Sequence, residues 1–339
     1  MVKVSVPGKC IIIGEHAVVY GTPAIIAAIG RRTVVEAEKA ENIRVSDPEM
    51  GPDLEWGVQE CKEAASQAVK LWEEGLQKKD FSEVFSLVKG SDFKKVAIGH
   101  ALNKLGIDSG VSLKVSGNVP VGAGVGSSAA LAAALVKAVS EVYEKPLGKE
   151  ELNSLVFEIE QFKHGTPSGG DNAACCFGGL IWFQKGDPNT IDSLKEEIPY
   201  SLENVVLVYT GKPEKSTGEL VQDVRGLDPS IRDPAVEAIG KAALEMRTAL
   251  KGKDFDTVQS LIDLTQQNLK QFGVSTPAID RIVERVREIG GAAKLCGAGG
   301  GGTMLCYHKD KEQLIKTIKE LGFEPLEAEL GVEGVRVEG

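Results

Sequence analysis

The 339-residue sequence lacks the features of several common classes of protein. It has only four histidines and 5% aromatic residues, and its 39 lysines and arginines are fewer than its 49 aspartates and glutamates. The resulting formal net charge of −10 argues against a nucleic-acid or anionic-membrane partner, since both require a basic face. No apolar run approaches the length of a membrane span, so we expect a soluble globular chain.

The cysteines also lack a functional pattern. None of the six forms a C-x-x-C pair, and Cys175 and Cys176 are adjacent, so neither a zinc site nor a disulfide framework is indicated. Near the N-terminus, Gly14-Glu15-His16 interrupts the only early apolar run, which argues against a signal peptide. We therefore expect a cytoplasmic location.

A Walker-type phosphate loop is absent because none of the Gly-Lys dipeptides is followed by Ser or Thr. The chain instead contains the glycine-rich stretch 120–130, P-V-G-A-G-V-G-S-S-A-A. Glycines at alternate positions keep side chains out of this loop, so its N–H groups can converge on an anion. A helix predicted to begin at Ser127 or Ser128 and to end near Tyr143 adds unpaired N–H donors and a favourable dipole. Polyphosphate is the natural candidate for the anion that this arrangement would bind.

Two other interpretations apply to a loop of this kind taken alone. Tight packing before a buried helix is one, and the dinucleotide pattern G-x-G-x-x-[G/A], matched by residues 124–129, is the other. That pattern expects an acidic residue about 20 positions later at the end of a strand, whereas Glu144 ends a predicted helix. A second match at 297–302 lies between two predicted strands without a helix. The dinucleotide interpretation therefore fails on context.

Side chains that can act in acid–base chemistry or bind a ligand are grouped in two other segments of the sequence. Lys9, Glu15 and His16 lie at the ends and turns of strands predicted over 2–6 and 10–13, although each alone is typical of solvated surface. Further along, Glu160 and His164 are four residues apart and share a face of a predicted helix.

Asp171 follows that helix, in a turn before apolar runs at 173–177 and 180–183 that we predict to be strands. Singly, Glu160 is typical of a solvated helix glutamate, His164 of a partner for the helix dipole, and Asp171 of a turn residue. A carboxylate at the entry to a buried strand is nevertheless costly unless it is paired or used.

The polar, turn-rich segment 184–199 predicts a domain boundary, which gives domains at 1–184 and 185–339. Strands and helices alternate in both, so the predicted fold class is α+β.

Three motifs stand in one order along the chain and together resemble the signature motifs of the GHMP small-molecule kinases, a superfamily named for galactose, homoserine, mevalonate and phosphomevalonate. They are Pro7-Gly8-Lys9 with Gly14-Glu15-His16, the stretch 120–130, and residues 294–302. Within the superfamily, segments 14–21 and 164–172 resemble the mevalonate kinase sequences almost position for position. Gly170 departs from the apolar residue that is usual before the aspartate.

The resemblance implies a two-domain fold, with a ribosomal-protein-S5-like N-terminal domain and a ferredoxin-like C-terminal domain on either side of an active-site cleft. It also implies ATP as co-substrate, Mg²⁺ as cofactor, mevalonate as the acceptor that is phosphorylated at its primary hydroxyl, and a homodimer.

The same resemblance implies that Asp171 and Lys9 are the catalytic residues and that Ser128 and Glu160 bind Mg²⁺. The triphosphate falls to Pro120, Gly122, Ala123, Gly124, Val125, Gly126, Ser127 and Ser128. The acceptor falls to Glu15, His16, Ser168, Thr217 and Ala298, of which Thr217 has the loosest alignment. The alternatives are another GHMP kinase, such as a phosphomevalonate or homoserine kinase, and a non-catalytic ligand sensor. A sensor would usually have lost the lysine, the metal glutamate or the aspartate, and all three are present.

Overall fold

The computed structural model describes residues 1–48 and 51–339. The N-terminal part contains the strands and helices β1 (Val2–Ile13), a 3₁₀ helix (Ala17–Tyr20), β2 (Pro23–Ala40), β3 (Ile43–Ser46), β4 (Leu54–Trp56), α1 (Val58–Lys78), α2 (Ser82–Leu87), α3 (Asp92–Leu105), β5 (Gly110–Gly117), α4 (Ser127–Val142), α5 (Lys149–His164), α6 (Gly170–Phe177) and β6 (Leu180–Gln184). The rest contains β7 (Thr190–Ser193), β8 (Val205–Tyr209), α7 (Thr217–Arg225), α8 (Pro229–Gly252), α9 (Phe255–Gln271), α10 (Pro277–Glu288), β9 (Ala292–Leu295), β10 (Thr303–Tyr307), α11 (Lys311–Glu320), β11 (Pro325–Leu326) and β12 (Arg336–Glu338).

The strands form two sheets. The first has the order β12-β1-β2-β5-β3-β4, and the long strand β2 also pairs with β6, which pairs in turn with β7. The second is antiparallel with the order β11-β8-β10-β9, and α9, α10 and α11 pack against it. That strand order, with its helix crossovers, is the ferredoxin-like arrangement, so the α+β fold class is confirmed.

Helix α4 is the central helix of the first sheet's helical layer. Its alanines and valines are buried almost all round, because β1 and β2 lie on one side and α3, α5 and α6 on the others. Such a sequence suits a core helix, since alanine has the highest helix propensity and small side chains permit close packing. This packing holds the start of α4 against β1, beside Lys9.

Three predicted elements differ from the structure. The strands predicted over 2–6 and 10–13 are one strand, β1, because β1 stays paired with β2 through Pro7 and Gly8, with a register shift between these two residues. Pro7, which has no N–H to donate, lies beyond Ser5, where the pairing with β12 ends. The strand predicted at 173–177 is wrong, since these residues belong to helix α6.

The first sheet receives strands from both ends of the chain. β12 pairs with Lys3, Val4 and Ser5, and Arg32 on β2 donates hydrogen bonds to the carbonyls of Glu333 and Gly334 just before it.

The division of the chain into domains at 184/185 stays a prediction. In the described residues, no helix has both the length and the apolar character needed to cross a membrane.

Candidate active site

The glycine-rich loop is held against β1 beside Lys9. The Lys9 N–H donates to the Val125 carbonyl at 2.8 Å, and a Cβ on Gly8 would come within 2.8 Å of the same oxygen, so only glycine permits this approach. Gly122, Gly124 and Gly126 all have positive φ, while the intervening Ala123 and Val125 are buried. The loop therefore points side chains inward and leaves its backbone toward the cleft, ahead of the α4 N-terminus.

Lys9 and Asp171 form an ion pair in front of this loop. Lys9 Nζ lies 3.0 Å from Asp171 Oδ1, and their side chains are 5% and 41% exposed. Burial alone would lower the pKa of Lys9, but the Asp171 carboxylate raises it above its usual value, so the ammonium stays charged. Asp171 lies in the first turn of α6 rather than in the turn that the sequence predicted. The carboxylate of Asp171 is thus within reach of a ligand, and its ion pair with the buried Lys9 holds it in position.

Glu160 and Ser128 meet across the α4–α5 contact. Ser128 Oγ donates to Glu160 Oε2 at 3.1 Å, and His164 Nε2 lies 3.5 Å from that oxygen. Burial, followed by the charge of Asp171, raises the pKa of Glu160 to about 7, and burial lowers the pKa of His164 to about 4. The other oxygen, Glu160 Oε1, is buried without a hydrogen-bond partner. Glu160 is therefore not the solvated helix residue of the simplest interpretation.

Glu15 and His16 lie deep between the two sheets. Glu15 is fully buried and pairs with Lys294 on β9, whose Nζ also donates to the Ile11 carbonyl at 3.1 Å. Burial would lower the pKa of Lys294, but Glu15 raises it. The second carboxylate oxygen, Glu15 Oε2, has no hydrogen-bond partner. His16 donates from Nε2 to the Ala298 carbonyl at 2.9 Å, so two of the predicted acceptor residues are in contact.

The second glycine-rich loop, residues 297–302, abuts the first. Thr303 at its end donates to the Ala123 carbonyl at 2.7 Å. The Lys9–Asp171 pair lies beside the first loop and the Glu15–Lys294 pair lies just before the second, so we infer that these groups border one cleft between the sheets.

Comparison with known proteins identifies the family. The models of the GHMP kinases N terminal domain and the GHMP kinases C terminal match residues 87–179 and 246–325. A mevalonate kinase from Thermococcus sibiricus is 33% identical, over 99% of this chain and 98% of its own. The chain belongs to the mevalonate kinase family. It is therefore an enzyme, and ATP is its co-substrate.

Solved structures support the fold of this kinase. The crystal structure of the Methanococcus jannaschii mevalonate kinase has a TM-score of 0.83 at 27% identity, covering 98% of each chain. A Streptococcus pneumoniae phosphomevalonate kinase in complex with phosphomevalonate and AMPPNP has a TM-score of 0.74 at 17% identity, covering 97% of this chain and 100% of its own. This second likeness shows the shared fold alone.

A cavity of about 400 Å³ opens beside the first loop of the kinase. Its apolar wall includes Phe93, Val119 and Leu131, and its polar wall includes Ser128 and Lys163. This combination suits a nucleoside whose phosphates reach the loop.

Two predicted acceptor residues have looser support. Ser168 Oγ accepts from the Gly170 N–H at 3.2 Å, which places it at the start of α6, three residues before Asp171. Thr217 is exposed in the first turn of α7, and within residues 1–48 and 51–339 no hydrogen bond joins it to another candidate residue. Both stay predictions.

Sequence reasoning missed two charged residues at the site. Lys294 lies in a quoted motif, but its role depends on Glu15, 279 positions away. Lys163 was missed because a lysine near a helix C-terminus is common and does not by itself indicate a binding site.

Proposed function

We propose that this protein transfers the γ-phosphoryl group of ATP to the primary hydroxyl of mevalonate, giving 5-phosphomevalonate for isoprenoid biosynthesis. The observation that carries the proposal is the Lys9–Asp171 pair, whose accessible carboxylate faces the cleft where the two glycine-rich loops meet.

The chemistry requires the attacking and leaving oxygens to be held in line and the developing charge to be offset. Asp171 accepts the hydrogen bond of the attacking hydroxyl and receives its proton as the new oxygen–phosphorus bond forms, while the bond from the γ-phosphorus to the β,γ-bridging oxygen breaks and ADP leaves with its electron pair. Lys9 offsets the charge of Asp171 and of the hydroxyl oxygen. Residues 122–128 bind the phosphates through backbone N–H groups and the start of α4.

Ser128 and Glu160 would hold Mg²⁺. The described residues contain no group of three or more His, Cys, Asp or Glu side chains that could hold a metal. Mg²⁺ prefers a few protein oxygens together with phosphate and water oxygens, so a hydroxyl and a carboxylate fit it. The unpartnered Glu160 Oε1 supports this assignment. When bound, the ion offsets negative charge on the β- and γ-phosphates.

The acceptor side matches a small branched hydroxy acid. Glu15, His16, Ser168 and Thr217 supply polar groups that fix orientation, and Ala298 keeps its wall small. Glu15 Oε2 is buried without a hydrogen-bond partner, and we assign a substrate hydroxyl as its donor. The names of the full-length relatives support mevalonate as the acceptor.

The product identifies the reaction directly. We expect ADP release that depends on mevalonate, and a ³¹P–¹H NMR correlation that joins the new phosphorus to the primary CH₂ of the product. A product phosphorylated at the tertiary alcohol, or ADP release without mevalonate, would contradict the proposal.

The metal assignment has its own test. Ser128→Ala and Glu160→Gln should each raise the Mg²⁺ concentration needed for half-maximal rate. Their combined effect should be less than additive, because both side chains act on one ion. Additive effects with an unchanged Mg²⁺ requirement would separate the two residues from the metal.

We also propose that the enzyme is a cytoplasmic homodimer. The family resemblance supports the dimer, and the six free, buried cysteines fit a reducing compartment. Light scattering of the purified protein tests the dimer.

A further inference from the structure

Lys163 occupies an unassigned position on the wall of the cavity. It lies in the last turn of α5, one turn after Glu160, and it lines the cavity together with Ser127 and Ser128 from the start of α4. Its ammonium group therefore borders the space between the apolar wall and the phosphate-binding loop.

The ammonium group of Lys163 rests on an aromatic ring. Lys163 Nζ lies 4.6 Å from the centre of the Phe93 ring, and no carboxylate within 4.0 Å pairs with it in the described part of the chain. Lys94, on the same cavity, differs because it is neutralised by a buried ion pair with Asp47. Lys163 thus brings to the cavity a positive charge that no direct ion pair holds, and the Glu160 carboxylate, one turn earlier on α5, acts on it only at longer range.

A cation on an aromatic face in partly aqueous surroundings is held weakly. An anionic oxygen offers a charge-assisted hydrogen bond, which is stronger. The lysine stem is also flexible, so the ammonium can leave the ring without a backbone change.

We propose that Lys163 binds the phosphate chain of the nucleotide, moving from the Phe93 ring to a phosphate oxygen when ATP or ADP enters the cavity. The inference rests on the proposed function, because it takes the occupant of this cavity to be ATP. It adds a side-chain cation to a site otherwise built from backbone N–H groups and the metal pair.

Titration calorimetry of the full-length protein with ATP, ADP and adenosine tests the proposal, in EDTA so that a metal does not contribute. Lys163→Met retains the apolar stem and removes the charge, and Lys163→Arg restores a cation. Lys39→Met is the matched control, because Lys39 Nζ also lies over an aromatic ring, that of Tyr143 at 5.5 Å, and its side chain is not part of the cavity wall.

We expect Lys163→Met to weaken ATP and ADP binding about tenfold, the scale of one lost charge-assisted hydrogen bond. Adenosine binding should stay within about twofold. Lys163→Arg should bind ATP nearly as well as the wild type, and Lys39→Met should be unchanged. In steady-state assays with Mg²⁺, the KM for ATP should rise while the KM for the acceptor stays constant.

Unchanged ATP affinity in Lys163→Met would overturn the proposal. So would an equal loss for adenosine, since that would make Lys163 a packing residue of the nucleoside wall. Failure of the proposed function is a separate result, because the wild-type protein itself would then not bind ATP.

Discussion

At the scale of single residues, Lys9 and Asp171 divide their roles by exposure. The lysine is buried between β1 and the first loop, whereas the carboxylate reaches the cleft. We therefore infer that Lys9 fixes and compensates Asp171, and that Asp171 is the member of the pair that touches the acceptor hydroxyl.

This division makes Asp171→Asn an informative change. The amide keeps the shape but cannot receive a proton, so we expect kcat to fall by at least about 10²-fold. ATP affinity should hold, because the first loop does not depend on Asp171. Turnover near that of the wild type would remove Asp171 from the mechanism.

Glu160 represents a conflict between stability and function at one residue. Its pKa rises from 4.5 to about 7 in the folded protein, so folding is penalised wherever the carboxylate must be charged. The penalty is absent below about pH 4.5, where the group is protonated in both states, and is complete above about pH 7. The shift corresponds to roughly 3 kcal/mol.

Glu160→Gln should therefore raise the Tm of the nucleotide-free protein at pH 8, and the gain should shrink toward pH 5. A thermal melt of both proteins at several pH values measures it. Saturating ATP and Mg²⁺ should reverse the order at pH 8, because in the proposed metal site the glutamate carboxylate binds Mg²⁺ more strongly than a glutamine amide would. A stability gain of equal size at pH 5 and pH 8 would show that burial of the charge is not its cause.

At the scale of elements, the first loop packs against β1 and leads directly into α4. Gly126 has φ +72°, and a Cβ there would lie 2.7 Å from Lys9 Cγ. Gly122 has φ +75°, but a Cβ there would have no neighbour within 4 Å. The two positions share the backbone requirement and differ in their surroundings, because Gly122 is exposed whereas Gly126 is buried with Lys9 as its nearest contact.

Alanine at each position separates these effects. Both variants should lose about 1–2 kcal/mol of stability, the cost of a left-handed conformation in a non-glycine residue. Gly126→Ala should in addition lower kcat by at least about tenfold, because it displaces Lys9 from Asp171. Equal kcat values for Gly122→Ala and Gly126→Ala would contradict this link between the loop and the lysine.

The sequence predicted some elements well for physical reasons. Helix α4 has a long apolar pattern and follows a glycine, so its predicted ends at Ser127 or Ser128 and near Tyr143 agree with the structure. The run 173–177 is apolar throughout and only five residues long, a length at which periodicity cannot separate a strand from a helix. Tertiary packing of α6 on α4 and α5 decides it.

At the scale of the whole molecule, the site depends on contacts between distant segments. Glu15 meets Lys294, His16 meets Ala298, and Ala123 meets Thr303 across the two sheets. The motif resemblance implied a shared cleft, but pairing such as that of Lys294 with Glu15 requires the folded register of β1 and β9. The addition of β12 to the first sheet had no local signal for the same reason.

The acceptor specificity of the cleft depends on both sheets, and it tests the central claim most directly. Phosphomevalonate already carries a phosphate where mevalonate has its reactive hydroxyl, so it needs additional cations near the acceptor. Among the described residues, Lys9, Lys294 and Lys215 lie near predicted acceptor residues, and each is already paired with a carboxylate, that of Asp171, Glu15 and Asp223 respectively.

The decisive measurement is steady-state kcat/KM with mevalonate, phosphomevalonate and homoserine as acceptors at saturating ATP and Mg²⁺. We predict a value for mevalonate at least about 10³-fold above those for the other two, the scale set by buried polar groups that a wrong substrate leaves unpaired. A kcat/KM for phosphomevalonate or homoserine equal to that for mevalonate would contradict the account.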